Sequence, residues 1–361
     1  MQNIINIVVF MLVLGSIITI HEFGHFITAK MFGVYCSNFS IGFGPKLFSY
    51  KGKETSYELR LLPIGGFVAM AGEEDQLENE ALKDIPVERT IKGLAVYKRI
   101  IIFAAGVIMN FILAIAVLFC LNMTVGEIGV NQAQVGEIFE NSPAEVYGLN
   151  ENDIITQIYI EDIDKTILVS KFEDINLSRD HLGVNSTQLN VSVNVLRNDQ
   201  NVTIDMVLDY EQEGNRYVMG INQATRDMTF VESIQYTFVV FKDMSTSIID
   251  ALSQLITSFS STITQMSGPA GIYQITAEVT ESGQIASIFE LLAMLSINIG
   301  IFNLLPIPGL DGCQILFAAV EGMIGKELPH KLKIILQVCG LVLVFGLMII
   351  VTFQDLLRIF G

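Results

Sequence analysis

Two of the four histidines in this chain of 361 residues fall in one pentapeptide, His21-Glu22-Phe23-Gly24-His25, directly after the apolar run that ends Ile18-Thr19-Ile20. The pattern is H-E-x-x-H. On a helix, positions i and i+4 project from one face, so His21 and His25 can offer two imidazole nitrogens to one tetrahedral zinc ion. Glu22, one residue on, can reach a water that such a metal activates. The chemistry is metal-assisted hydrolysis: the ion lowers the pKa of water toward about 7 and polarises a scissile carbonyl, while the carboxylate takes the water's proton and passes it to the leaving amine. Two interfacial histidines spaced by chance are the bland alternative. They leave Glu22 unexplained, because an ionisable side chain at the end of an apolar span is costly unless it is paired or functional.

A catalytic zinc needs a third protein ligand and an open position for water. Asp311 is the best candidate. It follows an uncharged stretch, in Asn303-Leu304-Leu305-Pro306-Ile307-Pro308-Gly309-Leu310-Asp311-Gly312, where prolines and glycines interrupt a helix and let backbone bend toward a metal. The competing role for Asp311 is an ordinary cap at the start of a helix. Glu281 and Glu290 are rival carboxylates, and the topology derived next puts them on the opposite side.

Composition says what must position these residues. The chain is 51% apolar and 16% charged, against roughly half and a quarter in soluble domains, so part of it is solvated by lipid. Collagen-like, disordered and disulfide-stapled classes are excluded; Cys36, Cys120, Cys313 and Cys339 form no C-x-x-C pair. Uncharged stretches run over 1–20, 100–126, 291–310 and 334–354, and about 20 helical residues cover the hydrocarbon core. Four transmembrane helices are expected. The first has no basic n-region and no small-residue cleavage site, so it reads as a retained span rather than a signal peptide. Thirteen of the 21 lysines and arginines lie between Lys30 and Arg99 or between Pro306 and Lys333, which makes those loops cytoplasmic by the positive-inside rule. His21, His25 and Asp311 then share the cytoplasmic side, and both termini and 124–286 lie outside. That outer segment holds 23 acidic and 7 basic residues, which reads as a solvated acidic face; nucleic acid is not an expected partner.

Taken together, these residues resemble the bacterial site-2 zinc metalloproteases, intramembrane enzymes of the regulator of sigma-E protease type. Ile20-His21-Glu22-Phe23-Gly24-His25-Phe26 carries one half of the likeness, and the stretch from Asn303 to Gly312, similar to N-x-x-P-x-P-x-L-D-G, carries the other. The resemblance implies Zn2+ held by His21, His25 and Asp311, with Glu22 as the catalytic base. It implies cleavage within transmembrane segments of membrane proteins, such as anti-sigma factors or signal-peptide remnants, in a multi-pass protein of the cell membrane whose active site faces the cytoplasm. Ile41-Gly42-Phe43-Gly44-Pro45 and Leu61-Leu62-Pro63-Ile64-Gly65-Gly66-Phe67-Val68 look like the family's membrane-dipping β-region. Read alone, these segments are strands flanking a Lys51-Gly52-Lys53 turn. A free strand edge there would pair with an unwound substrate and expose its peptide bonds, which places Gly42 and Gly44 with the substrate-binding residues. Ala105-Gly106-Val107-Ile108-Met109-Asn110-Phe111 resembles the family's A-G-P-x-x-N-F, with Val107 where proline is usual. By the same likeness Asn303 and Asn110 contact substrate, the plainer role for each being a hydrogen bond between helices.

Asn141-Ser142-Pro143-Ala144-Glu145-Val146-Tyr147-Gly148-Leu149 and Asn150-Glu151-Asn152-Asp153-Ile154-Ile155 are similar to a PDZ signature, with Tyr147 replacing a small residue and Asn152 a glycine. Alternation at Leu189, Val191, Val193 and Val195, then at Val202, Ile204, Met206 and Leu208, gives a hairpin in its own right. Such a domain binds peptide termini by strand addition, and beside a protease it docks or filters substrates. Phe241, Met244, Ile248, Leu252, Leu255 and Phe259 form an apolar stripe, expected on an amphipathic helix along the outer membrane surface or against the PDZ-like domain.

The fold expected is therefore a four-helix membrane protein with a membrane-associated β-region and an extracytoplasmic PDZ-like, β-rich domain. Its segments are 1–32 for the first span with H-E-x-x-H, 33–97 for the β-region and loop, 98–125 for the second span, 126–222 for the PDZ-like domain and 223–286 for the amphipathic segment. The third span with its L-D-G motif and a cytoplasmic loop occupies 287–333, and the fourth span 334–361. Two other readings stay open: a membrane scaffold or chaperone-like protein that binds peptides through the PDZ-like domain, and a transporter, since ionisable groups at membrane depth also mark ion paths. Glu22 discriminates, because neither needs a base beside two ligands.

Overall fold

The computed structural model describes residues 2–72, 85–258 and 267–360. Helix α1 (Gln2–Met31) carries the first apolar run straight through the histidine motif and stops before Gly33, whose φ of +83° ends the helix. Strands β1 (Cys36–Lys51) and β2 (Ser56–Met70) follow, joined across the turn signalled by Lys51-Gly52-Lys53. Each is bent. Gly42 and Gly44 adopt φ of +88° and +84°, and Gly65 +117°, conformations open to glycine but strained for other residues. The bends bring residues 38–41 against 66–69 on one side and 56–59 on the other, while 46–51 pairs with 56–60. Buried Glu58 fastens these runs together, taking hydrogen bonds or ion pairs from Asn38, Lys46 and Arg60. Helix α2 (Val96–Thr124) is uninterrupted, and Val107, in place of the usual proline, is 1% exposed in its middle.

Residues Val125–Val231 form a compact unit of their own. It comprises β3 (Glu127–Gly129), β4 (Val135–Ile138), α3 (Pro143–Val146), β5 (Ile154–Ile160), β6 (Lys165–Leu168), α4 (Arg179–Leu182), β7 (Gln188–Arg197), β8 (Gln200–Glu211), β9 (Arg216–Val218), β10 (Ile221–Gln223) and β11 (Thr225–Asp227). Five strands make one sheet in the order β6-β5-β7-β8-β9, with β10 paired to β4 and β11 to β3. The alternation in β7 and β8 buries Leu189, Val191, Val193, Val195, Ile204, Met206 and Leu208 in the core of this unit. Their turn, Asn198-Asp199, has positive φ at both residues, the two-residue geometry that matches strand twist. Asn152 stands at φ +71°, a left-handed position that asparagine tolerates, and Tyr147 is 41% exposed, so both departures from the signature are accommodated locally.

Helix α5 (Phe230–Thr257) presents Phe241, Met244, Ile248 and Leu252 to Ala114, Leu118, Ala293, Ile297 and Ile301. The apolar stripe thus packs on two apolar helices. Phe259, the last residue of that pattern, lies outside the described residues. Helix α6 (Pro269–Glu281) begins at the Ser267-Gly268-Pro269 break, where buried Asp355 accepts the amides of Gly268 and Gly271, both at 2.9 Å. Helix α7 (Ile285–Leu304) ends before Pro306, short of the expected 310.

The expected loop beyond it instead contains α8 (Asp311–Ile324), closed by Gly325 at φ +70°. The reason is packing: α8 buries Cys313, Phe317, Ala318 and Glu321, and Glu321 is ion-paired to Arg99 of α2 and to Lys333. Lys333 lies in the first turn of α9 (His330–Phe360). Among the described residues, α1, α2, α7 and α9 are long and apolar enough to cross a membrane. Val13 and Ile17 of α1 pack with Leu291 and Leu295 of α7 in the buried interior.

Candidate metal centre

Helix periodicity puts His21 and His25 on one face of α1, and that face meets α2. The approach depends on glycine. A Cβ on Gly24 would lie 2.4 Å from the Ala105 carbonyl oxygen, and one on Gly106 would lie 2.4 Å from His25 Nε2 and 2.8 Å from His21 Nε2. Position 106 therefore lines a space left open between two imidazoles. The two Nε2 atoms are 3.2 Å apart, and both rings are at least nine-tenths buried.

Asp311 arrives from the other end of the chain. The helix of α7 breaks at Pro306 and Pro308, the chain turns through Gly309 at φ +98°, and α8 starts at Asp311. Gly312 makes the turn possible: its absent Cβ would fall 2.3 Å from the Leu304 carbonyl oxygen and 2.4 Å from that of Leu305. The carboxylate is not used as a cap, since Leu310 occupies the cap position without a side-chain bond. Asp311 Oδ2 lies 3.0 Å from His21 Nε2 and 3.3 Å from His25 Nε2.

The donor set fits a divalent cation. All three ligand atoms lie within 4.8 Å of one another, and their separations of 3.0, 3.2 and 3.3 Å match the roughly 3.3 Å edge of a tetrahedron with bonds of about 2.0 to 2.1 Å. Asp311 Oδ2 is buried with no hydrogen-bond donor. With imidazole lone pairs and a carboxylate oxygen aimed at one point, what completes the cluster is a shared positive charge.

The outer ring nitrogens are held as well. His25 Nδ1 is 2.8 Å from the Ile102 carbonyl, and His21 Nδ1 is 3.3 Å from the amide of Asn110, which is fully buried on α2. Glu22 is half-buried and lies between the two histidines in sequence. A Cβ on Gly66 would sit 3.3 Å from its Cγ. Residues 66–70 pair only with 36–41 among the described residues, so a sheet edge passes beside the carboxylate. The other predicted residues are dispersed. Asn303 is half-buried one position before the end of α7, and Gly42 and Gly44 sit at the β1 bend against Leu62 rather than against the histidines. Of the rival carboxylates, Glu281 accepts from Asn6, fifteen residues before His21 and so about 22 Å along the helix axis from it.

Comparisons with known proteins identify the family. A family model described as peptidase family M50 matches residues 9–347. The chain belongs to peptidase family M50. The resemblance to site-2 proteases read from the two motifs is thereby shown for nearly the whole chain. Relatives of this M50 peptidase include the regulator of sigma-W protease RasP of Bacillus subtilis, 29% identical over 98% of this chain and 99% of its own length. A putative zinc metalloprotease of Fusobacterium nucleatum is 34% identical over 96% of this chain and 97% of its own. One of Clostridium acetobutylicum is 32% identical, covering 98% of both. With its four apolar helices, the M50 peptidase is a multi-pass membrane protein. Gly24, Gly106 and Gly312 were not legible as site residues; each lies inside a quoted motif, but what a missing Cβ permits depends on which backbone crosses it.

Proposed function

We propose that this M50 peptidase is a zinc endopeptidase that cuts transmembrane segments of membrane proteins, with His21, His25 and Asp311 as ligands and Glu22 as general base. One observation carries the reading: residues nearly three hundred positions apart bring two Nε2 atoms and one orphaned carboxylate oxygen to within 3.3 Å of each other. The relatives named zinc metalloproteases support the choice of ion. When bound, the ion supplies Lewis-acid polarisation of the scissile carbonyl and acidifies the attacking water. Glu22 receives the water's proton and delivers it to the leaving nitrogen.

A helical substrate hides its peptide bonds in its own hydrogen bonds. The edge at 66–70 offers an extended segment a backbone partner next to Glu22, and Gly42 and Gly44 bend the sheet that supplies the edge. Asn303 donates to substrate backbone where α7 unwinds toward Asp311. The basic loops support a cytoplasmic side for the centre and an outer one for Val125–Val231. The similarity of that unit to a PDZ signature supports docking of peptide termini or exclusion of substrates with a bulky outer domain. The relative named for regulating sigma-W favours membrane-bound regulatory proteins as substrates, with signal-peptide remnants as a second source.

The test is a pair of substitutions in purified, detergent-solubilised protein with a model transmembrane peptide. Glu22→Gln keeps zinc and lowers cleavage by at least about 100-fold, and Asp311→Ala loses zinc. Undiminished proteolysis by Glu22→Gln, or full zinc content in Asp311→Ala, refutes the assignment. Excising Val125–Val231 is expected to leave cleavage of the short peptide intact while raising cleavage of a substrate that retains its outer domain.

A further inference from the structure

Asn110 lies one helical turn beyond Gly106, on the face of α2 that looks at the two histidines, and it has no solvent exposure. Its backbone carbonyl accepts the hydroxyl of Ser296, fully buried on α7, at 2.8 Å. Its side chain meets His21 Nδ1 at 3.3 Å through Nδ2, and its Oδ1 is buried without a partner. Which end of a carboxamide is oxygen is an assignment made from hydrogen bonds. Here the proton on His21 decides it.

An imidazole that gives its Nε2 lone pair to a cation carries its hydrogen on Nδ1, and that hydrogen needs an acceptor. His25 has one in the Ile102 carbonyl at 2.8 Å. For His21 the group in reach is Asn110. With Nδ2 toward the ring, the amide donates to a bare Nδ1, and Nε2–H faces Asp311 Oδ2 at 3.0 Å; that pairing suits a centre without an ion. With the amide turned over, Oδ1 accepts Nδ1–H and Nε2 is free to bind.

We propose that Asn110 is a positioning residue of the metal centre, its carboxamide oxygen accepting the Nδ1–H of His21 and thereby fixing the ring nitrogen that faces the cation. The role is directed at the ligand, not at substrate backbone. The two ligand histidines then have matched outer partners, a main-chain carbonyl for His25 and a side-chain carbonyl for His21, both supplied by α2. A carboxylate at 110 would keep the acceptor; a leucine of similar size would remove it.

The experiment measures zinc affinity of the full-length, detergent-solubilised protein by competition with a chelator, together with the visible spectrum of the cobalt-substituted form. Asn110→Leu is expected to bind zinc about 10- to 100-fold more weakly and to shift the cobalt bands, while Asn110→Asp restores affinity to within a few-fold of wild type or tightens it. Wild-type affinity in Asn110→Leu overturns the proposal, all the more if only KM rises, since that marks a substrate contact. Equal weakening in Asn110→Asp and Asn110→Leu also overturns it, because a packing role would not be rescued by an acceptor.

Should Asn110→Leu not fold, the wild-type protein decides. Zinc-loaded and labelled with 15N-histidine, it should show slowly exchanging Nδ1–H protons assigned to both His21 and His25; absence of the His21 proton overturns the proposal. The inference rests on the zinc reading above: a wild-type protein without stoichiometric zinc sinks both, whereas normal zinc in Asn110→Leu sinks this one alone.

Discussion

At position 106 a methyl group in place of a hydrogen would fill the space of the proposed metal site. The Cβ of an alanine there would lie 2.4 Å from His25 Nε2 and 2.7 Å from His21 Cε1, closer than nonbonded atoms can come. Alanine also favours a helix over glycine by about 1 kcal/mol, so the two effects oppose each other in a readable way. Gly106→Ala is expected to leave helix content and melting temperature unchanged or slightly raised while zinc affinity falls at least about ten-fold. Retained affinity would mean that the imidazoles move aside freely and that the cradle is not set by glycine. The proposed ligands were legible because chemistry restricts them: few residue types bind zinc, and i, i+4 is a helical face. Gly106 was not, because glycine in an apolar helix serves packing at many positions and only the partner helix reveals what it clears.

At the scale of elements, backbone breaks do the positioning. Pro306 and Pro308 end α7, Gly312 lets α8 fold back on it, and the carboxylate of Asp311 is delivered as a by-product of that turn. Glu58 does comparable work in the β-region. Burial pushes its carboxyl up, but Lys46 and Arg60 outweigh burial and hold it below the ordinary carboxylate range. A folded value below the unfolded one stabilises the fold above the unfolded pKa of about 4.3, and that stabilisation is lost as pH falls through the folded value. Wild-type protein should therefore melt well above Glu58→Gln at pH 7, with the gap closing as the pH is taken below about 4; a gap independent of pH would refute the pairing. The partner of α5 was not legible in sequence: its stripe specifies an apolar face, and a face does not name its partner.

For the whole molecule, the division into a membrane unit and Val125–Val231 predicts that damage in one spares the other. Asp153 is 1% exposed and receives two bonds from Arg197, at 2.8 and 2.6 Å, and one from the Asn150 amide. Removing one partner of such a pair costs about 3 kcal/mol. Asp153→Ala should lower the melting of the β-rich unit, followed by hydrogen exchange in β5 and β7, with zinc content and the cleavage of a short peptide unaltered. Loss of zinc in that variant would show that the units do not fold independently.

Sequence alone determined the spans, since lipid tolerates only long uncharged helices, and it determined the chemistry, since H-E-x-x-H and an aspartate after a helix-breaking run admit few readings. It also determined the β7–β8 hairpin, where side chains alternate between core and water. Tertiary structure decided which backbones come close enough for glycine to be required, where the faces of α5 and α8 are buried, and that Asn110 stands behind His21. Those facts depend on contacts between residues remote in the chain, and no local pattern encodes the distance between two helices.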